Sequence, residues 1–391
     1  IYGGVATILY FENYDPAAQI GVNGDYNEQN FEGETDYYLG FDVIRSENLH
    51  GRIQLYDEVT WGVNDGYGTD TGSGDRILVE EAWLEFNVPD FAGEATNVSV
   101  KAGDFGISLP GVGKNVLDDT ANGVQLSVPF NEMIAANLGY ARMGTDGRNQ
   151  ADLAYLTLPV SGNGYNVTPY LAYLAANRDV ETPGLFVEDP DGVVTDITDA
   201  DIDGWWYGFD LGIDMFDPLY LFAGFVYGSA EADFDGGGDL EREGWVAELG
   251  ADFKMELFTP GFMFIYGPGL DDGDLADDEI TVLPSMESGN YKPFNALDDF
   301  NDEFAGGIWS LAFFLKDIPC PIPGASDCVD HELRIAYVEG TSDKETADVL
   351  RRILGAGAPM TEEDSYLTFE LSNTWTMYDN LAANLFFGYT V

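Results

Sequence analysis

The chain has two histidines, two cysteines, 16 basic and 70 acidic residues to do chemistry with. Nucleophilic or general-base catalysis needs a base within hydrogen-bond reach of a nucleophile and a third group to orient it. His50 and His331 each sit near a short turn, no serine pairs with either by pattern, and neither has an orienting carboxylate on its own face. They read as turn residues, and the chain reads as no enzyme. Cys320 and Cys328 flank a Pro/Gly-rich spacer, Cys-Pro-Ile-Pro-Gly-Ala-Ser-Asp-Cys. The first reading is a disulfide stapling a turn in an oxidising compartment; a metal site with His331 is the rival, but it lacks a fourth ligand. The run Asp271-Asp272-Gly273-Asp274-Leu275-Ala276-Asp277-Asp278-Glu279 offers carboxylate oxygens without the twelve-residue spacing of a calcium loop. No metal or other cofactor is therefore assigned, and Asp271, Asp272, Asp274, Asp277 and Asp278 stand as Ca²⁺ candidates on loop acidity alone. The formal charge of −54 excludes nucleic acid as a partner, because phosphate contacts need Lys and Arg. It suits a solvated acidic surface, and equally a field that gathers cations and repels anions.

The elements that must position these groups are strands. Segments of about ten residues alternate apolar with polar or small residues, which is the period of a sheet with one greasy and one wet face. About seventeen recur, near 2–12, 34–46, 51–63, 77–88, 96–104, 122–129, 134–144, 151–159, 165–177, 205–215, 219–229, 243–255, 259–267, 304–315, 331–340, 365–376 and 380–390. The connections alternate short and long almost to the end. No run approaches the roughly 20 apolar residues of a spanning helix, and mean hydropathy is only −0.13. That combination fits an all-β transmembrane antiparallel barrel of 16–18 strands over residues 1–391, with lipid outside and water inside. The 14% aromatic content suits girdles at the two membrane interfaces, and short turns on the periplasmic side with long extracellular loops place the chain in a bacterial outer membrane. An odd strand count is awkward for such a barrel. It points to a missing closing strand, to a false strand among the seventeen, or to one hidden in 268–303, where Glu279–Leu283 is the candidate. Residues 343–354 read as a short helix.

Alternation then sorts the wall charges. Ile53 and Leu55 face lipid, so Arg52, Gln54, Tyr56 and Glu58 face water. Val100 and Ala102 set Lys101 inward, Trp245, Ala247 and Leu249 set Glu248 and Asp252 inward, and Leu333 and Ile335 set Arg334 inward. Ala82, Leu84 and Phe86 set Glu81 and Glu85 inward. Glu80 is then left facing lipid, as is Asp57, a costly arrangement that a subunit interface would relieve.

Residues 41–62, Phe-Asp-Val-Ile-Arg-Ser-Glu-Asn-Leu-His-Gly-Arg-Ile-Gln-Leu-Tyr-Asp-Glu-Val-Thr-Trp-Gly, and residues 80–129, from Glu80-Glu81-Ala82-Trp83-Leu84 to Gly123-Val124-Gln125-Leu126-Ser127-Val128, carry a resemblance. They resemble the trimeric outer-membrane general porins of sulfate-reducing bacteria, best over roughly the first 145 residues. The resemblance implies a homotrimer and a third loop folded into the barrel. Here that loop is 105–121, with Lys114, Asp118 and Asp119 at the constriction and Gly111 and Gly113 giving its backbone room to turn. Arg52 and Lys101 are then the wall side of a transverse field, and Asp118 and Asp119 the loop side. The expected function is a water-filled channel for passive diffusion of small polar solutes and ions, cation-preferring because basic residues are scarce. The alternative is a non-conducting surface barrel whose acidic loops bind divalent cations, lipopolysaccharide or a partner.

Overall fold

A computed structural model of the chain describes residues 2–14, 28–46, 48–61, 78–88, 98–143, 150–177, 200–234, 239–272, 279–286, 307–319, 329–347, 360–378 and 381–391. Each of the seventeen segments expected from alternation is a strand. In chain order these are β1 (Tyr2–Tyr14), β2 (Glu28–Ser46), β3 (Leu49–Trp61), β4 (Leu78–Asn87), β5 (Ser99–Ser108), β6 (Asp118–Pro129), β7 (Ala135–Met143) and β8 (Gln150–Thr157). There follow β10 (Tyr165–Asn177), β11 (Ala200–Phe216), β12 (Leu219–Phe234), β13 (Asp239–Phe253), β14 (Thr259–Gly267), β16 (Ile308–Pro319), β17 (Val329–Gly340), β18 (Ser365–Tyr378) and β19 (Leu381–Thr390). Two short strands are additional. β9 (Val160–Gly162) resumes the line of β8 along β10. β15 (Glu279–Ile280) lies parallel to Glu241–Arg242 of β13, so the candidate eighteenth strand is no antiparallel member of the wall.

The residues fall into two units. The first comprises Ile1–Pro89, Ser99–Gly106 and Thr120–Val124, the second Asp90–Val98, Ile107–Asp119 and Gln125–Val391. In the first, β1 to β5 pair antiparallel, each with its chain neighbour. In the second, the same up-and-down pairing runs from β7 to β19, with β14 pairing directly to β16. Neighbour-to-neighbour hairpins pair the backbone groups of successive strands locally, which is what a lipid-facing wall requires. The turn between β6 and β7 shows why the short connections stay short. Asn131 Oδ1 accepts the backbone N–H groups of Met133 and Ile134 at 2.8 and 2.9 Å, closing the chain on itself.

The outer face of the second unit carries Trp205, Tyr207 and Phe209 on β11, Leu249 on β13 and Phe313 on β16, all exposed. On this face rings neighbour one another from strand to strand: Tyr173 with Trp205, Tyr207 with Tyr227, Phe225 with Trp245, Trp245 with Tyr266, and Trp309 with Tyr337. The alternate positions, Trp206, Val226, Val246, Ala312 and Ala336, are fully buried on the opposite face. That face is apolar because chain segments lie on it.

One expectation fails for a specific reason. Gln54 pairs with Glu81 while Leu55 pairs with Val79, so β4 carries one extra residue opposite β3. This bulge shifts the alternation by one. Leu78 and Val79 are both exposed, and Glu80 and Glu81 are both half-buried. Glu80 is turned from the lipid face, where it accepts from Gln54 Nε2. β2 and β3 keep one register across Asp57, which stays on the face of Ile53 and Leu55.

Candidate functional site

The loop after β5 is shorter and more deeply packed than 105–121. β5 runs on to Ser108 and β6 begins at Asp118, and Leu109 N–H donates to Leu117 O at 3.0 Å across the base. The remaining loop, 109–117, carries a 3-10 turn at Gly111–Asn115, with Leu109, Val112 and Val116 wholly buried. It lies on the inner faces of β11–β13. Two glycines admit it. Gly111 has φ +55°, and a Cβ there would stand 2.6 Å from Asp210 Oδ1; at Gly113 it would stand 2.6 Å from the Tyr170 hydroxyl. On the wall, Gly224 leaves the space that Val112 and the buried Glu248 occupy. The loop tip therefore rests on Tyr170, Asp210 and Glu248.

A second segment, 280–286, comes down beside it and is tied at both ends. Arg242, buried on β13, donates to Val282 O (3.1 Å) and Leu283 O (2.9 Å). Trp206 Nε1 donates to Pro284 O at 2.7 Å. From the strap, Ser285 Oγ donates to Asn115 O, and Met286 N–H donates to Val116 O at 2.9 Å. Two loops thus hold each other against the wall and form a single inner ledge.

Farther along this inner face, Asp252 of β13 takes Lys316 of β16 at 3.3 Å. Arg334 of β17 lies 2.8 Å from Glu332 and 3.4 Å from the buried Glu370 of β18. Asp252, Gly261, Phe314, Arg334 and Glu370 occupy one cross-strand row. Glu248, Asp252 and Arg334 are thus on the face opposite Leu249, Leu333 and Ile335, as alternation requires.

The first unit holds its own charged cluster. Arg52 of β3 lies 2.9 Å from Asp42 and 3.6 Å from Glu81. Trp83 Nε1 donates to Glu81 at 2.9 Å. Lys101 Nζ stands 4.2 Å from the Trp83 ring centre and 4.6 Å from that of Phe105. Glu85 accepts from Ser99 Oγ at 2.9 Å and lies 3.2 Å from His50 Nε2, so His50 does have a carboxylate neighbour. Serine, carboxylate and histidine meet here, yet the hydroxyl donates to the carboxylate and not to the imidazole. Among the described residues no imidazole takes the serine proton, as an activated nucleophile would require.

The other expected residues are distributed as follows. Asp118 and Asp119 open β6 instead of riding on the loop, and Lys114 of the 3-10 turn lies 3.7 Å from Asp118. Glu58 is on β3, with its side chain outside the described residues. Cys320, Cys328, Asp274, Asp277 and Asp278 lie outside them as well. Asp271 and Asp272 are exposed, and no group of three metal-ligating side chains occurs among the described residues. Residues 344–347 are helical, with Asp343 Oδ1 accepting the Thr346 N–H at 2.8 Å; the rest of the expected helix lies outside the described residues.

Sequence reasoning missed Tyr170, Trp206, Asp210 and Arg242. The last three were legible in principle. Each sits on the water-facing parity of a strand, and an Arg or Trp there between small residues signals a wall on which another segment lies.

No family model and no curated protein matches the sequence. Solved structures match in fold. OpdK of Pseudomonas aeruginosa with vanillate aligns at TM-score 0.58 and 10% identity, covering 100% of this chain and 92% of that one. OccK11 (OpdR) of the same organism gives 0.53 and 11%, covering 93% and 86%. The outer membrane protein OprD, again from P. aeruginosa, gives 0.52 and 11%, covering 93% and 83%. The chain has the fold of the outer-membrane β-barrel porins. That class, rather than any hydrolytic barrel, is what the inner ledge and the aromatic outer face also describe.

Proposed function

We propose that the chain is an outer-membrane porin, a water-filled channel through which small hydrophilic solutes and ions diffuse passively. The carrying observation is the inner ledge. Two loop segments lie folded on the water-facing side of β11–β13, beside Asp210 and Glu248, and this supports reading them as segments that narrow a path. Ions crossing such a ledge meet carboxylates first, and the −54 charge makes the mouths negative. Cation preference follows from both. The channel is read as a homotrimer embedded in outer-membrane lipid and lipopolysaccharide, in line with the resemblance to the porins of sulfate-reducing bacteria and with Asp57 on the outer face. Reconstitution into a planar bilayer under a steep KCl gradient tests this. Steady conductance in steps of three, reversing on the cation side, is expected. Folded protein without conductance would remove the channel reading and leave a surface-binding barrel. Anion selectivity would keep the channel and assign the filter to Arg52, Lys101 and their neighbours.

A further inference from the structure

Lys101 is one of only 16 basic residues, and among the described residues its ammonium feels the charges of Glu81 and Glu85 without a hydrogen bond to either. It stands half-buried between the rings of Trp83 and Phe105, and among the described residues no acceptor takes its hydrogens. An ammonium carries three donors, and leaving them unmade near apolar surface is costly. In the empty channel, water must fill them. The acceptors nearby are carboxylates with capacity to spare. Glu85 takes Ser99 and lies against His50, and each carboxylate has about four lone-pair sites. His50, Glu85 and Lys101 sit opposite one another in one cross-strand row; Arg52, Trp83 and Gly103 form the next. Residues facing one another in such a row have Cβ atoms about 5 Å apart, so their polar ends can converge on one small solute.

We propose that this patch of β3–β5 is a binding subsite for a neutral polyhydroxyl solute of monosaccharide size. The inference rests on the channel reading for its access and goes beyond it in naming a solute class. The charges favour a neutral guest. Asp42, Glu81 and Glu85 against Arg52 and Lys101 leave the patch one negative charge from neutral. Anions are repelled at mouths bearing so many carboxylates, and a cation that enters meets Lys101 and Arg52. A hydroxyl suffers neither penalty. It accepts from Lys101 and donates to Glu85 at once, replacing two ordered waters with one group.

Three solutes on one carbon skeleton test this: D-glucose, gluconate and glucosamine. Equilibrium binding to the full-length protein in detergent is measured by calorimetry, and ion current through bilayer-reconstituted protein is recorded in parallel. Saturable glucose binding is expected, with the anion and the cation weaker. Lys101→Met keeps the packing on the two rings and removes the donors, and it should weaken glucose about tenfold. Glu85→Gln gives an independent second variant, expected to weaken glucose as well. Saturable binding without any conductance sinks the channel reading and spares the subsite. No saturable glucose binding, tighter binding of gluconate, or unchanged affinity in both variants overturns the proposal.

Discussion

Gly244 is the position at which the inner ledge is most exposed to a single substitution. A Cβ there would lie 2.3 Å from Leu283 N and 2.6 Å from Val282 C, both backbone atoms of the strap. Ordinary contact begins near 3.4 Å, so Gly244→Val must lift the strap by at least 3.4 − 2.3 = 1.1 Å, with more for the two methyl groups. Such a shift takes the Arg242 bonds to Val282 O and Leu283 O, now 3.1 and 2.9 Å, out of range. Each is a hydrogen bond from a charged donor, worth about 1.5–3 kcal/mol, so the pair accounts for roughly 3–6 kcal/mol of local stability. The Trp206 bond to Pro284 O adds about 1 kcal/mol. A loss of that size opens the strap most of the time while the wall strands stay paired. Single-channel recording is the assay. The expected result is a larger and noisier open-channel conductance in protein that still folds. Gly106→Val is the control, because a Cβ at Gly106 meets nothing within 4 Å. If folded Gly244→Val conducts with the amplitude and noise of the wild type, the strap does not narrow the path and the ledge is only structural.

Four further outcomes are expected. Arg334→Ala removes the guanidinium next to the buried Glu370 and should destabilise the barrel by about 1–3 kcal/mol, read as a lower midpoint of thermal unfolding in detergent; an unchanged midpoint would show that water replaces it. Asp343 lies outside the spanning strands, and accepting the Thr346 N–H holds its carboxyl below the usual range. A depressed folded-state value contributes stability above the unfolded carboxylate value and loses it as pH falls through the folded one. Amide protection at Thr346 should therefore drop on acidification, and Asp343→Asn should abolish that dependence in hydrogen exchange. Asp252→Asn should leave Lys316 facing a neutral partner and lower cation preference in the reversal potential; a shift toward cations would refute the acidic-filter account. Mass measurement after alkylation without reductant should leave Cys320 and Cys328 unmodified, whereas two added alkyl groups would rule out the disulfide.

How far the sequence could be read depended on whether a feature was local. Each strand announced itself through alternation, because a wall between lipid and water forces period two on every segment independently. The faces of Arg52, Lys101, Glu248, Asp252 and Arg334 came with it. At Glu80 the same rule failed, since a bulge is one extra residue opposite a partner and leaves no mark on the strand that carries it. The inward loop was anticipated by resemblance, but its limits were not. Phe105 and Ile107 alternate as a strand does, yet Gly106 and the following Pro110-Gly111 read as loop. Least legible was the strap. Nothing in 280–286 says that it will meet Trp206 and Arg242, which lie some 40 to 80 residues back. Only an arginine and a tryptophan on water-facing positions hinted that something would cover them.

The outward tyrosines also set a waterline. Tyr140 donates to Asp152 at 2.7 Å, Tyr227 to Glu243 at 2.6 Å and Tyr337 to Glu339 at 2.7 Å, and Tyr173 is bonded to Asp203. Each ring is anchored below in the greasy band and leashed above to a carboxylate that cannot enter it. From Leu219 to Tyr227 on β12 is eight residue steps. At about 3.3 Å per step and a tilt near 40°, that spans roughly 20 Å along the membrane normal. The second unit therefore cannot ride deeper without drowning charges in hydrocarbon, nor higher without baring Leu249 and Phe313. Its depth is fixed by four phenols, and a thicker bilayer would have to thin around it.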